Sequence, residues 1–193
     1  PGRGTLMADA LRACKNVPGF LNAAKITLIE ASPTLRQTQQ ETLAAYNVTW
    51  LDELENLQEQ PLYLIANEFF DALPIRQFLR EGDQWRERQV GVEAGKLLFG
   101  LSPAQPQPAL NHRLVDTQDG DMIEVCAAAG PAAQMIGHHI GKHGGTALII
   151  DYGGWHLTGD TLQAVRAHDK VSPLSTPGMA DLTAHVDFET LAE

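Results

Sequence analysis

The stretch ANEFFDALP gathers the residue types that acid–base chemistry on a cationic substrate needs. Asn67 and Glu68 come straight after an apolar run, LYLIA, and Asp71 follows closely. A carboxylate at such a place can pair with a guanidinium or take a proton from it. Phe69, Phe70, Leu73 and Pro74 would supply apolar walls that keep water out. A plainer reading stays open, in which Glu68 caps the turn that follows. DYGG repeats the pattern, because the apolar run ALII ends in Asp151 and Tyr152. Tyr152 can pack on a substrate or cofactor, or sit in the core with its hydroxyl wet. His185, within ADLTAHVDF, is flanked by Asp181 and Asp187. The candidate catalytic set is therefore Asn67, Glu68, Asp71, Asp151, Tyr152 and His185.

A second group suits a nucleoside. Gly2-Arg3-Gly4 opens a helix, so a ligand can approach the backbone closely with the helix N-terminus aimed at it; a plain glycine turn reads the same way. Farther on, the apolar segment ITLIE ends in Glu30, where nucleotide-binding folds place an acid to accept both ribose hydroxyls. Asp52 closes the next such segment and could meet an adenine amino group, or be a solvated loop aspartate beside Glu53 and Glu55. Asn67 lies where the two groups would meet. The seven histidines include His138-His139 and His143, a helical spacing that resembles a metal pair. With no acid or cysteine nearby in sequence, a solvated helix face and no metal is the expectation.

To position these residues the chain alternates helix and strand. A helix through TLMADALRACK turns Leu6, Ala10, Leu11 and Cys14 to one face. ITLIE is a strand, Ser32 caps a helix with Pro33 in its first turn, and VTWLDEL is a third strand or its exit. LYLIA is a buried strand. Residues 76–101 alternate and turn at Glu81-Gly82-Asp83 and Glu93-Ala94-Gly95, so they read as antiparallel strands. SPAQPQPALN is an exposed proline-rich loop. DMIEVC, a helix through PAAQMIGHHIGKHG, and GTALIIDYGG restore the α/β rhythm. Beyond His156 one strand, TLQAVRAHDKV, precedes a loop. The result is an α/β fold with a mainly parallel sheet and helices on both faces, whose ligands bind beyond the carboxyl ends of the strands.

The composition narrows the function. Acidic side chains number 24 against 14 basic, a net charge of −10. Such a surface repels phosphate backbones, so nucleic-acid binding is disfavoured; it suits a cationic partner, or serves solubility. No apolar run of about 18 residues exists to span a membrane, and no signal-peptide pattern opens the chain. Cys14 and Cys126 have no CxxC spacing and read as buried free thiols in a reducing compartment. Because Pro1 rather than Met comes first, the expectation is a true start farther upstream.

PGRGTLM, LIEASPTLR, ANEFFDALPI, QWRERQVG, the IEV…GP region, ALIIDYG and DLTAHVDF, in this order, resemble the MidA/DUF185 family, related to a mitochondrial complex I assembly factor that methylates arginine. The resemblance implies a Rossmann-like class I methyltransferase fold with an inserted antiparallel segment. It also implies S-adenosylmethionine as cofactor, S-adenosylhomocysteine as product, and methylation of an arginine in a protein substrate, a respiratory complex I subunit in the characterised case. By position, Gly2 and Gly4 belong to the loop under the methionine part of the cofactor, Glu30 is the ribose ligand, and Asn67 and Glu68 fall where the methyl group is presented. The family's first strand and an earlier glycine precede Pro1, so one truncated domain over residues 1–193 is expected, with insertions at roughly 76–110 and 156–187 and a gap in its sheet. Two other functions remain open: a non-catalytic S-adenosylmethionine-binding assembly chaperone, and an NAD-dependent oxidoreductase, which a GxG loop and Glu30 would also suit. A bacterial cytoplasm is the expected compartment, a mitochondrial matrix the second.

Overall fold

The computed structural model describes residues 2–192; Pro1, on which the expectation about the chain's start rests, lies outside them. Two compact units are formed, Pro1–Asn67 with Met135–Leu148, and Glu68–Gln134 with Ile149–Glu193.

In the first unit, α1 (Thr5–Cys14) starts from Gly4, whose left-handed backbone (φ 83°) only glycine adopts without strain. A short helix, α2 (Phe20–Ala23), leads to β1 (Ile26–Ile29), α3 (Pro33–Thr42) and β2 (Val48–Leu51). The strands are parallel, with Leu28 opposite Trp50, so these elements make one βαβ unit. Ser32 caps α3 by accepting from the Leu35 N–H, with Pro33 in the first turn, as its sequence predicts. Leu11, Leu28 and Leu43 form the core, with Met7, Ala8, Ile26, Tyr46, Val48 and Trp50 packed on it. The buried face of α1 therefore runs through Met7, Ala8 and Leu11, not through the expected Leu6, which is half exposed. Cys14, like Cys126, is half-buried and free rather than fully buried.

Next comes β3 (Leu62–Asn67), which pairs with β8 (Gly145–Ile150). The β1–β2 and β3–β8 pairs are separate two-stranded sheets, and among the described residues neither β1 nor β3 has a second strand beside it.

The second unit is built on antiparallel strands. β4 (Arg76–Glu81), β5 (Gln84–Glu93) and β6 (Lys96–Leu101) form the meander expected from their turns, and β7 (Met122–Val125) joins the other side of β4. DMIEVC thus extends the antiparallel sheet instead of resuming the α/β rhythm, which returns only with α4 (Ala129–His143) and β8. Phe78, Trp85, Leu110 and Ile123 form the core. Leu110 shows that SPAQPQPALN is not simply an exposed loop. Gln105 exchanges backbone hydrogen bonds with Trp85 at 3.0 Å, and residues Pro108–Val115 form a 3-10 segment that buries Leu110.

Beyond β8, β9 (Gly153–Gly154) precedes β10 (Gln163–Arg166) and β11 (Asp169–Val171). The expected single strand TLQAVRAHDKV is a hairpin. Ala167 and His168 turn it with φ of 50° and 71°, a two-residue turn usually announced by Asn or Gly. β12 (Asp181–Thr183), β13 (Val186–Asp187) and α5 (Phe188–Ala192) complete the chain. β12 pairs with β10 and β13 with β9, so the expected C-terminal loop carries two strands.

Candidate active site

The end of β3 delivers Asn67, exposed, and then the chain turns sharply. Glu68 has a left-handed backbone with φ 48°, a conformation that costs a non-glycine residue about 1–3 kcal/mol unless its surroundings enforce it. The enforcement is visible. The Glu68 N–H donates to the Ile150 carbonyl at 2.9 Å, continuing the strand ladder. The next three N–H groups, of Phe69, Phe70 and Asp71, all donate to Asp151 Oδ2 at 3.2, 2.9 and 3.3 Å. Asp151 Oδ1 accepts from the Tyr152 N–H at 3.0 Å. Successive N–H groups converging on one oxygen form an anion-holding nest, here filled by the protein's own carboxylate.

That nest separates the roles of three acids. Asp151 is engaged by four backbone donors and fixes the turn. Glu68 is exposed. Asp71 is buried, 6% exposed, and its Oδ1 has no hydrogen-bond partner. Burial, then the charges of Asp151 and Glu68, push the Asp71 carboxyl up to about 6. The apolar surroundings are less uniform than the sequence suggested. Phe70 is buried and meets Phe69 edge to face at 5.1 Å, Leu73 is half-buried and Pro74 is exposed.

The DLTAHVDF segment is stitched to these turns. Ala184 N–H donates to the Asp71 carbonyl at 3.0 Å, and Val186 N–H to the Tyr152 carbonyl at 2.8 Å. Gly153 allows the second contact, since a Cβ there would lie 2.0 Å from the Val186 carbonyl oxygen. His185, between the two stitches, is exposed, and its own N–H donates to Thr161 Oγ1 at 2.8 Å. Thr161 in turn donates to Glu124 Oε2, tying the segment to β7. Tyr152 is 63% exposed, which rules out the core-aromatic alternative. Glu68, Asp71, Asp151, Tyr152 and His185 thus share one hydrogen-bonded framework.

In the first unit, Gly2 (φ 54°) and Gly4 (φ 83°) bend the loop ahead of α1, with Arg3 exposed between them. The helix opens with no side-chain cap and no acid in its first turn. Glu30, half-buried just past β1, accepts from Ser32 N–H through Oε1 at 2.9 Å and from Gln39 Nε2 through Oε2 at 3.0 Å. A carboxylate has about four acceptor sites, so each oxygen keeps one for a hydroxyl. Asp52 is exposed and paired with Arg36 Nη2 at 2.6 Å; Arg36 Nε also donates to the Glu30 carbonyl at 2.7 Å. The Asp52 carboxylate is therefore held near the exits of β1 and β2 but already carries a salt bridge.

Gln39 escaped the sequence reading, because a lone Gln in a polar helix gives no signal. His156 escaped it too. It sits between Asp116 (2.7 Å) and Glu189, and these partners, Glu189 first, raise its pKa. Of the three helical histidines, His138 is exposed, and His139 Nε2 is 3.0 Å from the Gln60 carbonyl. Among the described residues no group of three or more His, Cys, Asp or Glu could hold a metal ion, and no helix is long and apolar enough to cross a membrane.

The chain is similar to several known proteins. "Protein arginine methyltransferase NDUFAF7, mitochondrial" of Xenopus tropicalis is 36% identical over 215 residues, covering 97% of this chain and 50% of that protein. The human protein of the same name is 32% identical over 219 residues, covering 99% and 49%. The chain thus spans about half the length of the curated relatives it matches. A crystal structure of a "likely methyl transferase" from Burkholderia thailandensis bound to S-adenosyl-homocysteine is 28% identical with a TM-score of 0.78, over 98% of this chain and 51% of that one. The model of a family described as "Putative S-adenosyl-L-methionine-dependent methyltransferase" matches residues 1–193, and the chain belongs to that family.

Proposed function

We propose that this chain forms the cofactor-binding and catalytic part of a methyltransferase that modifies arginine in a partner protein. The observation that carries the reading is the acidic turn: Glu68 held in a left-handed conformation close to a buried Asp71 whose carboxyl is pushed up to about 6, in a turn whose N–H groups Asp151 accepts. A strained, over-determined acid is a functional signature rather than a stabilising one.

The residues of the first unit fit S-adenosylmethionine. Glu30 offers one acceptor site per oxygen to the two ribose hydroxyls, and the Gly2–Gly4 loop lets the methionine part approach the backbone. When bound, the cofactor supplies an electrophilic methyl group on a sulfonium. A guanidinium that accepted such a methyl group would have to lose one N–H proton, so the residues near it must hold the cation and take up a proton. Glu68 pairs with the guanidinium and orients it, with Asn67 beside it. Asp71, about 6, is mostly ionised at neutral pH and receives the departing proton. Exposed Tyr152 and the His185 segment flank the arginine's approach.

The partner we favour is a cationic protein segment, in the manner of a complex I subunit, which matches the net charge of −10. A bacterial cytoplasm, or a mitochondrial matrix, suits two free thiols; the named relatives are mitochondrial. Incubating the intact protein with labelled S-adenosylmethionine and an arginine-rich protein substrate should leave methylarginine, read by mass spectrometry. Tight cofactor binding with no transfer to any arginine would favour the assembly-chaperone alternative instead.

A further inference from the structure

Gln39 is the most enclosed polar side chain in the first unit, with 0% exposure, and the chemistry above leaves it unused. Its amide makes three hydrogen bonds. Nε2 donates to the Gly2 carbonyl at 2.7 Å and to Glu30 Oε2 at 3.0 Å; Oε1 accepts from Trp50 Nε1 at 2.9 Å. The indole nitrogen can only donate, so it forces the amide oxygen toward itself and the amide nitrogen toward Gly2 and Glu30. Trp50 is itself held in register against Leu28 on β1, whose exit carries Glu30. Gly4 closes over the same side chain: a Cβ there would lie 3.4 Å from Gln39 Cγ.

One buried amide therefore connects the glycine loop, the acid at the end of β1 and an indole on β2. We propose that Gln39, oriented by Trp50, is a positioning residue that locks the Glu30 carboxylate and the Gly2–Gly4 loop in one geometry and so sets selectivity for the ribose diol of the nucleoside cofactor. The proposal rests on the reading of Glu30 as ribose ligand. By occupying one site on Oε2, Gln39 leaves each carboxylate oxygen one free direction and stops the carboxylate from rotating. Burial makes the lock costly to break, since a turned amide would leave polar groups unpaired inside.

The test is calorimetric, on the intact protein, with S-adenosylhomocysteine and its 2′-deoxy analogue. Gln39→Met keeps the volume and removes all three bonds; Trp50→Phe removes the orienting donor and part of the ring while keeping an aromatic side chain against the core. Gln39→Met should weaken S-adenosylhomocysteine binding about tenfold and bind the deoxy analogue nearly as wild type does, so that discrimination between the ligands collapses. Trp50→Phe should move the ratio the same way by less. Glu30→Ala should abolish discrimination, and adding Gln39→Met to it should change nothing further. If Glu30→Ala retains full discrimination, the ribose assignment itself fails. If Glu30→Ala loses it while both Gln39→Met and Trp50→Phe keep it, or weaken the two ligands equally, Gln39 is merely structural and the proposal is overturned.

Discussion

Asp71 and Glu68 carry like charges on one short turn, and burial of Asp71 makes its protonation a property of the fold. Its carboxyl lies near 6 against an ordinary value of 3.8. Between those values the folded chain holds a proton that the unfolded chain has lost, so stability falls as the pH rises from about 4 to about 6 and levels off above. Asp71→Asn removes that dependence. The variant should melt like wild type at pH 4 and at higher temperature than wild type at pH 8, with transfer activity much reduced. Parallel melting curves with the same pH dependence in both proteins would show that Asp71 is not the perturbed group. The segment ANEFFDALP pointed to these acids because carboxylates follow an apolar run; nothing in residue order told the clamp from the pair proposed to act on substrate. That distinction depends on Asp151, 80 residues from Asp71 in sequence, and on a backbone angle at Glu68 that composition does not encode.

At the scale of elements, the turn after β3 exists because the exit of β8 supplies its acceptor. Asp151→Asn offers a neutral oxygen to N–H groups that now meet a carboxylate, and such charge-assisted bonds are the stronger kind. The expected loss is about 2 kcal/mol of stability. Methyl transfer should fall as well, because the turn that carries Glu68 and Asp71 loosens, while S-adenosylhomocysteine affinity measured by calorimetry stays unchanged. Full stability and turnover in Asp151→Asn would show that the turn does not need its clamp. Which elements were legible follows the same physics. The 76–101 meander and the Ser32 cap announce themselves through local turn and capping residues. The β10–β11 hairpin turns on Ala167 and His168, residues with no such preference, and β7 is drawn to β4 by long-range pairing that a short apolar run does not reveal. Gln39 is invisible for the same reason, because its three partners come together only in the fold.

For the whole molecule, charge is the most general lever. A net charge of −10 favours a basic substrate segment through interactions that salt screens over about 8–10 Å. The KM for an arginine-rich protein substrate should therefore rise with ionic strength while S-adenosylhomocysteine affinity holds; a salt-independent KM would locate recognition in apolar contacts instead. The half-length match to the curated relatives makes the full-length protein the right material for every such assay. The most direct measurement is single-turnover methylation by Glu68→Gln, with melting temperature and cofactor affinity read on the same preparation. The substitution keeps size and removes the charge proposed to hold the guanidinium. Transfer should drop about 100-fold or more with melting temperature and S-adenosylmethionine affinity near wild type. Normal turnover in a protein whose stability has fallen by about 1 kcal/mol would mean that Glu68 only shapes the turn, and would contradict the proposed chemistry.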